Sequence, residues 1–376
     1  MHKRMNSYIG GYNMWIQNKV FREDLDQLMT CDYIPWDKLC DKTVLVTGAT
    51  GLIGYNLISG LVYASIQKKL NIHILALVRD IDRAKDKFAE QMKDSDSISF
   101  VLGTVENLPN IQKKIDYIIH GACPTASAYF IEHPVETIKI SILGTSNMLE
   151  LAKKNNVEGF VYLSSMEVYG APKTEDLLSE EDLGYLNPLN VRNCYPESKR
   201  MCESLIASYA SEYEIRAMSI RLAQTFGPGV QYDDKRVFAE FARCAMEKKD
   251  IVLLTDGKSK RCYLYTMDAV SAILTVLLKG EAGQAYNAAN PETYCSVKEM
   301  AEMVAKEIGN GEIKVVISQN EEDGKKFPPF HFYKLNIVKS KKIGWMPYRR
   351  LQDLYRRMIV SYGKDFTADE CQMANR

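Results

Sequence analysis

The chain has 376 residues, 48 basic and 48 acidic side chains, a formal net charge of zero and 46% hydrophobic residues. This length suits two to three packed units, and the near-average composition excludes a disordered, collagen-like or coiled-coil protein. The balanced charge argues against nucleic acid as a partner, because phosphate backbones require an excess of Lys and Arg.

The cysteines and histidines favour a reduced protein without a metal. Nine cysteines, an odd number without a C-x-x-C pair, are expected to be free thiols. The five histidines form no metal-binding spacing, so no metal is expected. The first residues carry no apolar signal-peptide run. The uncharged stretch 43–67 is long enough to span a bilayer, but it contains four glycines. We expect a cytoplasmic protein with no membrane partner.

From residue 43 onward, short β-rich runs alternate with helical stretches, which is typical of a parallel sheet covered by helices. A separate amphipathic helix is predicted over 14–29. The predicted strands are 44–46, 72–78, 99–102, 117–120, 159–164, 216–221 and 285–288. The other predicted helices are 53–69, 82–93, 134–155, 195–214, 236–248, 268–279 and 297–308. The pattern predicts an α/β fold: a doubly wound parallel sheet of Rossmann type with a smaller C-terminal α/β substrate domain.

The first predicted strand runs into a glycine-rich turn and then a helix. Glycines allow the backbone to approach a pyrophosphate closely, and the helix N-terminus offers unpaired N–H groups to its charge. The order strand, glycines, helix therefore predicts a dinucleotide site, and it also explains the uncharged stretch without a membrane. The residues expected at the cofactor are Gly48, Thr50, Gly51, Leu52, Ile53 and Gly54.

The end of the second predicted strand, Leu77-Val78-Arg79-Asp80, indicates which cofactor is bound. An acidic residue there accepts a hydrogen bond from the ribose 2′-hydroxyl, whereas an arginine favours a 2′-phosphate. We place Arg79 at the ribose, so NAD(P) is predicted with a preference for NADP. The alternative is that Asp80 caps the following helix and that Arg79 and Arg83 are solvated.

A Tyr-x-x-x-Lys spacing, Tyr195 to Lys199, opens a predicted helix thirty residues after Ser165 ends a predicted strand. Tyrosine, with a pKa of about 10, is a poor base at neutral pH. A lysine one turn away, with a positive nicotinamide nearby, favours the phenolate. Ser165 would hold a sugar hydroxyl while Tyr195 removes its proton and hydride leaves.

With these motifs in order, the sequence resembles the extended short-chain dehydrogenase/reductase family of nucleotide-sugar epimerases, dehydratases and decarboxylases. The resemblance covers residues 41–363. It implies an NAD(P) domain that includes Ala122 at the cofactor, a small sugar-nucleotide domain, and a homodimer through the helices at 134–155 and 195–214. It rests on T-G-x-x-G-x-x-G (47–54), I-I-H-G-A (118–122), S-S-M-E-V-Y-G (164–170), Y-P-E-S-K (195–199), R-L-A-Q-T-F-G-P-G (221–229), K-R-C-Y-L-Y-T-M-D-A-V (260–270) and G-W-M-P (344–347).

Within the family the sequence looks most like the UDP-glucuronate decarboxylases. Arg192 in R-N-C-Y, Glu167 after Ser165, and Arg261 in K-R-C-Y match that branch. The resemblance implies that Glu167 assists proton transfer or orients the sugar, and that Arg261 contacts the diphosphate or an acid group. Arg236 lies where relatives bind the nucleotide.

Two substrate positions depart from the family pattern. Met166 stands where decarboxylases carry a small hydroxyl residue and 4,6-dehydratases carry Asp, and Gln224 replaces the usual Asn. A thioether cannot donate a hydrogen bond to a carboxylate. A purely structural role is the alternative for three of these residues: Glu167 could be a surface carboxylate, Arg261 an ion-pair partner and Met166 a core residue.

The sequence therefore predicts an enzyme that oxidises C4 of a nucleotide-diphosphate sugar to a 4-keto intermediate, most simply a 4-epimerase. A UDP-glucuronate decarboxylase-like enzyme, an NADPH-dependent keto-sugar reductase and a non-catalytic dinucleotide sensor are the alternatives. The domains predicted are an N-terminal extension (1–40), the NAD(P) domain (41–225, with return segments near 262–290), the nucleotide-sugar domain (226–261 and 291–363) and a tail (364–376).

Overall fold

The computed structural model describes residues 15–172, 174–318 and 331–363, and a seven-stranded parallel sheet forms its centre. The strands of this sheet are β1 (Thr43–Thr47), β2 (His73–Val78), β3 (Ile98–Leu102), β4 (Tyr117–His120), β5 (Gly159–Ser165), β6 (Ala217–Leu222) and β10 (Ala285–Ala288). Their order is β10-β6-β5-β4-β1-β2-β3. The chain changes direction between β1 and β4, and ligands bind at such switch points.

Helices cover both faces of the sheet. They are α1 (Lys19–Met29), α2 (Leu52–Gln67), α3 (Ile81–Lys87), α4 (Ala89–Asp94), α5 (Ser127–Glu132), α6 (Pro134–Asn155), α7 (Cys194–Tyr213), α8 (Val237–Glu247), α9 (Thr266–Lys279), α10 (Val297–Met303), α11 (Val338–Lys342) and α12 (Leu351–Ser361). Buried side chains fill the sheet–helix interfaces in two clusters, one on each side. The predicted α/β fold with a doubly wound parallel sheet is thus confirmed.

A second, smaller sheet is built around β9 (Lys260–Tyr265), which pairs with β7 (Gln224–Phe226), β11 (Asn290–Ser296) and β13 (Phe332–Tyr333). A two-stranded sheet joins β8 (Ile251–Leu253) to β12 (Val315–Ile317). Within the predicted return segments, β10 joins the large sheet beside β6, whereas β9 belongs to the small one. Gln224 follows the carboxyl end of β6 by two residues, and the small sheet brings Arg261 beside it.

The predicted helix 82–93 is two helices, because the chain breaks at Phe88. Its ring is fully buried and stacks on Tyr55 of α2 with centroids 5.2 Å apart. The backbone at Phe88 leaves the helical region. The ring is therefore buried at a point where the helix is interrupted. Periodicity alone does not report this tertiary contact.

The N-terminal helix α1 is part of the core. Asp24 is buried and forms an ion pair with Arg357 of α12 at 2.8 Å, and it accepts a hydrogen bond from the hydroxyl of Tyr265. The predicted helix over 14–29 begins at Lys19, where Asn18 caps it; Met14 lies outside the described residues. Through Asp24, the N-terminal helix α1 is thereby tied to α12.

Residues 15–172, 174–318 and 331–363 carry neither a membrane-spanning helix nor a metal-binding cluster. No helix within these ranges is long and apolar enough to cross a membrane, and the uncharged stretch 43–67 forms β1, the glycine turn and α2. The same ranges contain no cluster of His, Cys, Asp or Glu suited to a metal ion. Their eight cysteines are free, and Cys371 lies outside them.

Candidate active site

The glycine turn between β1 and α2 is closely packed against the backbone around it. Gly48 has a φ of +71°, and a Cβ there would lie 2.7 Å from the carbonyl oxygen of Gly121. A Cβ on Gly54 would lie 2.2 Å from the carbonyl oxygen of Gly48. Gly51 is the N-cap of α2 and supplies no capping side chain. The first turn of α2, with Leu52 and Ile53, therefore presents backbone N–H groups to an anion.

The carboxyl end of β4 closes the other side of this turn. The hydroxyl of Thr47 accepts hydrogen bonds from the backbone N–H groups of Gly121 and Ala122, both at 3.1 Å. The same hydroxyl lies 2.7 Å from Nδ1 of His120, whose Nε2 lies 3.2 Å from Thr145. Burial lowers the pKa of His120 to about 3, so this histidine is neutral and serves to hold the ends of β1 and β4 together.

Arg79 is exposed at the end of β2, and Asp80 caps α3 by accepting a hydrogen bond from the N–H of Arg83 at 2.9 Å. Lys87 lies one turn beyond Arg83 on the same helix. Its ammonium donates to the carbonyl oxygen of Thr50 in the glycine turn at 2.7 Å. Burial and the nearby Arg83 lower the pKa of Lys87. The cationic face of α3 is therefore held against the predicted cofactor site.

Lys87 was not among the predicted site residues. The sequence could have predicted its position, because Arg83 and Lys87 are four residues apart and so share one face of a helix. The described ranges contain no carboxylate within ion-pairing distance of Arg79, Arg83 or Lys87.

The predicted Ser, Tyr and Lys side chains meet at the carboxyl end of β5. Tyr195 and Lys199 lie on the first turns of α7 and are 6% and 3% exposed. The Lys199 ammonium lies 5.6 Å from the centre of the Tyr195 ring, and it donates to the carbonyl oxygen of Leu163 at 2.7 Å. The Ser165 hydroxyl interacts with Tyr195 and accepts from the N–H of Glu167 at 3.2 Å.

Burial raises the pKa of Tyr195 well above 10, and the neighbouring Cys123 and Glu167 act in the same direction. The Ser165 hydrogen bond and the Arg192 guanidinium lower it. The phenol therefore depends on its polar neighbours to ionise.

Two residues to which the sequence assigned no role lie around Tyr195. Phe130 of α5 stacks on it with ring centroids 4.3 Å apart and an interplanar angle of 7°. The guanidinium of Arg192 lies over the Phe130 ring at 5.2 Å and forms an ion pair with Glu167 at 2.9 Å. No motif marks Phe130. Arg192 was predicted only as part of the R-N-C-Y motif that matches the decarboxylase branch, without a role of its own.

Arg261 and Gln224 come together from neighbouring strands β9 and β7. Nη1 of Arg261 donates to Oε1 of Gln224 at 3.2 Å. Its Nε is buried and has no hydrogen-bond partner among the described residues. Burial lowers the pKa of His331 to about 4, and both Arg261 and Arg192 contribute to this effect. The guanidinium groups of Arg261 and Arg192 both act on the neutral imidazole of His331. Their two positive charges are suited to binding an anion.

The remaining predicted substrate residues are engaged within the protein. Met166 is 6% exposed and belongs to the larger hydrophobic cluster. Arg236 pairs with Asp234 through two nitrogens, at 3.0 and 2.6 Å. The structure therefore brings Ser165, Tyr195 and Lys199 together and places Met166 in the core.

The fold and this arrangement define a nucleotide-binding protein of the Rossmann type. Residues 44–289, more than half of the chain, match the NAD dependent epimerase/dehydratase family. The chain belongs to this family of enzymes, as its motifs predicted.

Curated relatives carry decarboxylase names. The chain is 29% identical over 335 residues to UDP-glucuronic acid decarboxylase 4 of Arabidopsis thaliana, covering 88% of this chain and 70% of that protein. It is 30% identical over 311 residues to UDP-glucuronic acid decarboxylase 6 of the same plant, covering 82% and 85%. These names favour the decarboxylase alternative over the epimerase predicted from Met166.

Solved structures share the fold. An epimerase from Methanothermobacter thermautotrophicus aligns with a TM-score of 0.71 at 21% identity, covering 92% of this chain and 97% of that one. A dTDP-glucose 4,6-dehydratase from Streptomyces venezuelae with bound NAD aligns with a TM-score of 0.70 at 21% identity, covering 85% and 97%.

Proposed function

We propose that the protein oxidises C4 of a nucleotide-linked uronic acid and that the resulting 4-keto acid loses its carboxyl group as carbon dioxide. The observation that carries the proposal is the Nε of Arg261 in the small sheet, which is buried and has no hydrogen-bond partner among the described residues. A guanidinium with a free Nε and no acidic partner among the described residues is suited to a planar carboxylate. The names of the curated relatives support the same reaction.

The residues at the carboxyl end of β5 provide the proton chemistry. Tyr195 is placed to remove the proton of the C4 hydroxyl while Ser165 holds that hydroxyl. The chemistry that a bound nicotinamide supplies is reversible acceptance of hydride from C4. The glycine turn fits such a cofactor, since any side chain at Gly48 or Gly54 would collide with backbone. Glu167 is then placed to orient the sugar.

The reaction balances without a further reactant. Hydride and a proton leave the C4 carbinol, and the bond between C5 and the carboxyl carbon breaks, with its electrons delocalised into the 4-keto group. The resulting enolate takes up a proton from solvent at C5, and the hydride returns to C4 with a proton from Tyr195. The products are carbon dioxide and a pentose nucleotide.

Epimerisation at C4 is the second candidate, and Met166 favours it, because a thioether cannot donate a hydrogen bond to a carboxylate. Burial of Met166 in the core reduces the force of this argument. To decide, the protein is incubated with UDP-glucuronate, UDP-glucose and their C4 epimers. A pentose nucleotide and trapped carbon dioxide from UDP-glucuronate support decarboxylation, whereas interconversion with unchanged mass supports epimerisation.

We infer that the cofactor is NADP rather than NAD. Arg79, at the end of β2, has no acidic partner within residues 15–172, 174–318 and 331–363, and Arg83 and Lys87 add two cations on α3. A 2′-phosphate would compensate this charge. The parent protein is expected to bind NADP at least tenfold more tightly than NAD in calorimetry, and Arg79→Ala should reduce that ratio. Equal affinities in the parent would contradict the inference.

We infer that the protein is a homodimer through α6 and α7. Val135, Ile138 and Leu143 on α6 and Met201 on α7 are exposed apolar side chains on helices that pack together. A second copy would bury them. Light scattering is expected to give twice the chain mass, and Leu143→Glu should give a monomer; a monomeric parent would contradict this.

A further inference from the structure

Phe130 of α5 lies between the active-site Tyr195 and a charged residue, Arg192, in the short turn that precedes α7. The Tyr195 ring is parallel to the Phe130 ring with centroids 4.3 Å apart, and the Arg192 guanidinium lies over the Phe130 ring at 5.2 Å. Phe130 is 1% exposed. Phe130 therefore contacts both Arg192 and Tyr195.

Glu167 holds the Arg192 guanidinium in place. Its carboxylate pairs with Arg192 at 2.9 Å, and both side chains are partly buried, at 28% and 21% exposure. In a partly dry site the effective dielectric constant is low, so each of these two charges acts on Tyr195 more strongly than it would in water. Their effects on a developing phenolate are opposite in sign.

We propose that Arg192 is a positioning residue for Tyr195: through Phe130 it fixes the ring, and through its charge it offsets the nearby Glu167 and favours the phenolate. The proposal rests on the proposed role of Tyr195 as the base, and it assigns Arg192 a role separate from binding substrate. The charged or titratable groups around Tyr195 are Cys123 after β4, Tyr162 of β5, Glu167, Arg192 and Lys199 of α7.

The proposal predicts opposite responses to two neutral substitutions. Arg192→Gln removes a positive charge, so Tyr195 should ionise at higher pH. The ratio of the hydride-transfer rate at pH 6 to the rate on the high-pH plateau should be about tenfold lower in this variant than in the parent. Glu167→Gln removes a negative charge, so the same profile should move to lower pH. Arg192→Lys keeps the charge and should retain most of the parental profile.

The measurement is the single-turnover appearance of reduced nicotinamide at 340 nm between pH 5 and 10, with the most active nucleotide sugar. The exposed Arg22→Gln, in a 3.9 Å surface pair with Asp26, is the matched control for loss of one positive charge. If Arg192 served only to hold Glu167, the two substitutions would shift the profile in the same direction. That result, or no shift in either variant, would overturn the proposal.

A second measurement keeps this test separate from the reaction assigned above. In the NADP complex, the absorbance of ionised tyrosine is titrated for the parent and for Tyr195→Phe, and the difference reports Tyr195 alone. The same difference, measured in the Arg192→Gln background, should move to higher pH. This readout needs no turnover, so a failure of the proposed reaction and a failure of the Arg192 assignment give different results.

Discussion

The ammonium group of Lys199 donates a hydrogen bond to the carbonyl oxygen of Leu163, 2.7 Å away in β5, and lies 5.6 Å from the centre of the Tyr195 ring. The strand thus holds the lysine charge beside the tyrosine without consuming the tyrosine hydroxyl. This arrangement leaves the hydroxyl available to a substrate and to Ser165.

Tyr195→Phe is expected to keep the affinity for cofactor and to abolish the reduced-nicotinamide absorbance that substrate produces, because the base is lost while the ring stack remains. Binding is measured by calorimetry and the absorbance at 340 nm. Tyr162→Phe is the matched control, since Tyr162 lies 4.5 Å from the same ammonium group and should retain activity. Normal turnover in Tyr195→Phe would contradict the assignment of the base.

Arg261→Lys should reduce kcat/KM for UDP-glucuronate at least tenfold, because lysine keeps the charge but loses the bidentate geometry. The affinity for UDP alone separates the two roles predicted for Arg261. Unchanged UDP binding places the guanidinium at the acid group of the sugar. A parallel loss of UDP affinity would place it at the diphosphate instead.

Met166→Ser distinguishes a core role from a substrate role. Because Met166 is buried in the larger cluster, the substitution is expected to lower the free energy of unfolding by about 2–4 kcal/mol, measured by urea denaturation. The partition between decarboxylation and epimerisation should stay the same. A variant that gains decarboxylation without loss of stability would show that position 166 faces the substrate.

Asp268 predicts a pH dependence of stability. It is buried on α9 and accepts hydrogen bonds from the N–H groups of Tyr348 and Arg349 at 3.1 and 3.2 Å. Burial raises the pKa of Asp268 to about 7, from an ordinary value of 3.8. Between these values the folded state holds the proton and the unfolded state does not. Stability from this group is therefore present at low pH and lost as pH rises towards 7.

Asp268→Asn should remove this pH-dependent contribution to the free energy of unfolding, which is at most about 4 kcal/mol. Urea unfolding at pH 4.5 and 7.5 is compared for the parent, for Asp268→Asn and for the exposed control Asp37→Asn. The difference between the two pH values should shrink only in Asp268→Asn. An unchanged difference would contradict the assignment.

Local pattern determined much of the fold. The strand, glycine turn and helix from Thr43 to Gln67 follow from adjacent residues, so the sequence alone predicted them and the dinucleotide site. Predicted helix 134–155 has the bounds found for α6, and predicted strand 117–120 those of β4. The spacing of Tyr195 and Lys199 on one helix also places both side chains on one face without tertiary information.

Contacts between distant segments were decided only by the tertiary structure. Phe130 reaches Tyr195 from another helix, and Arg261 meets Gln224 through strand pairing across 37 residues. The break at Phe88 arises from stacking on Tyr55. Periodicity records the local preference of each segment, whereas the partner of a side chain depends on how sheets and helices pack. The sequence therefore determined the class of enzyme, and the packing of its loops decided which side chains surround the reacting tyrosine.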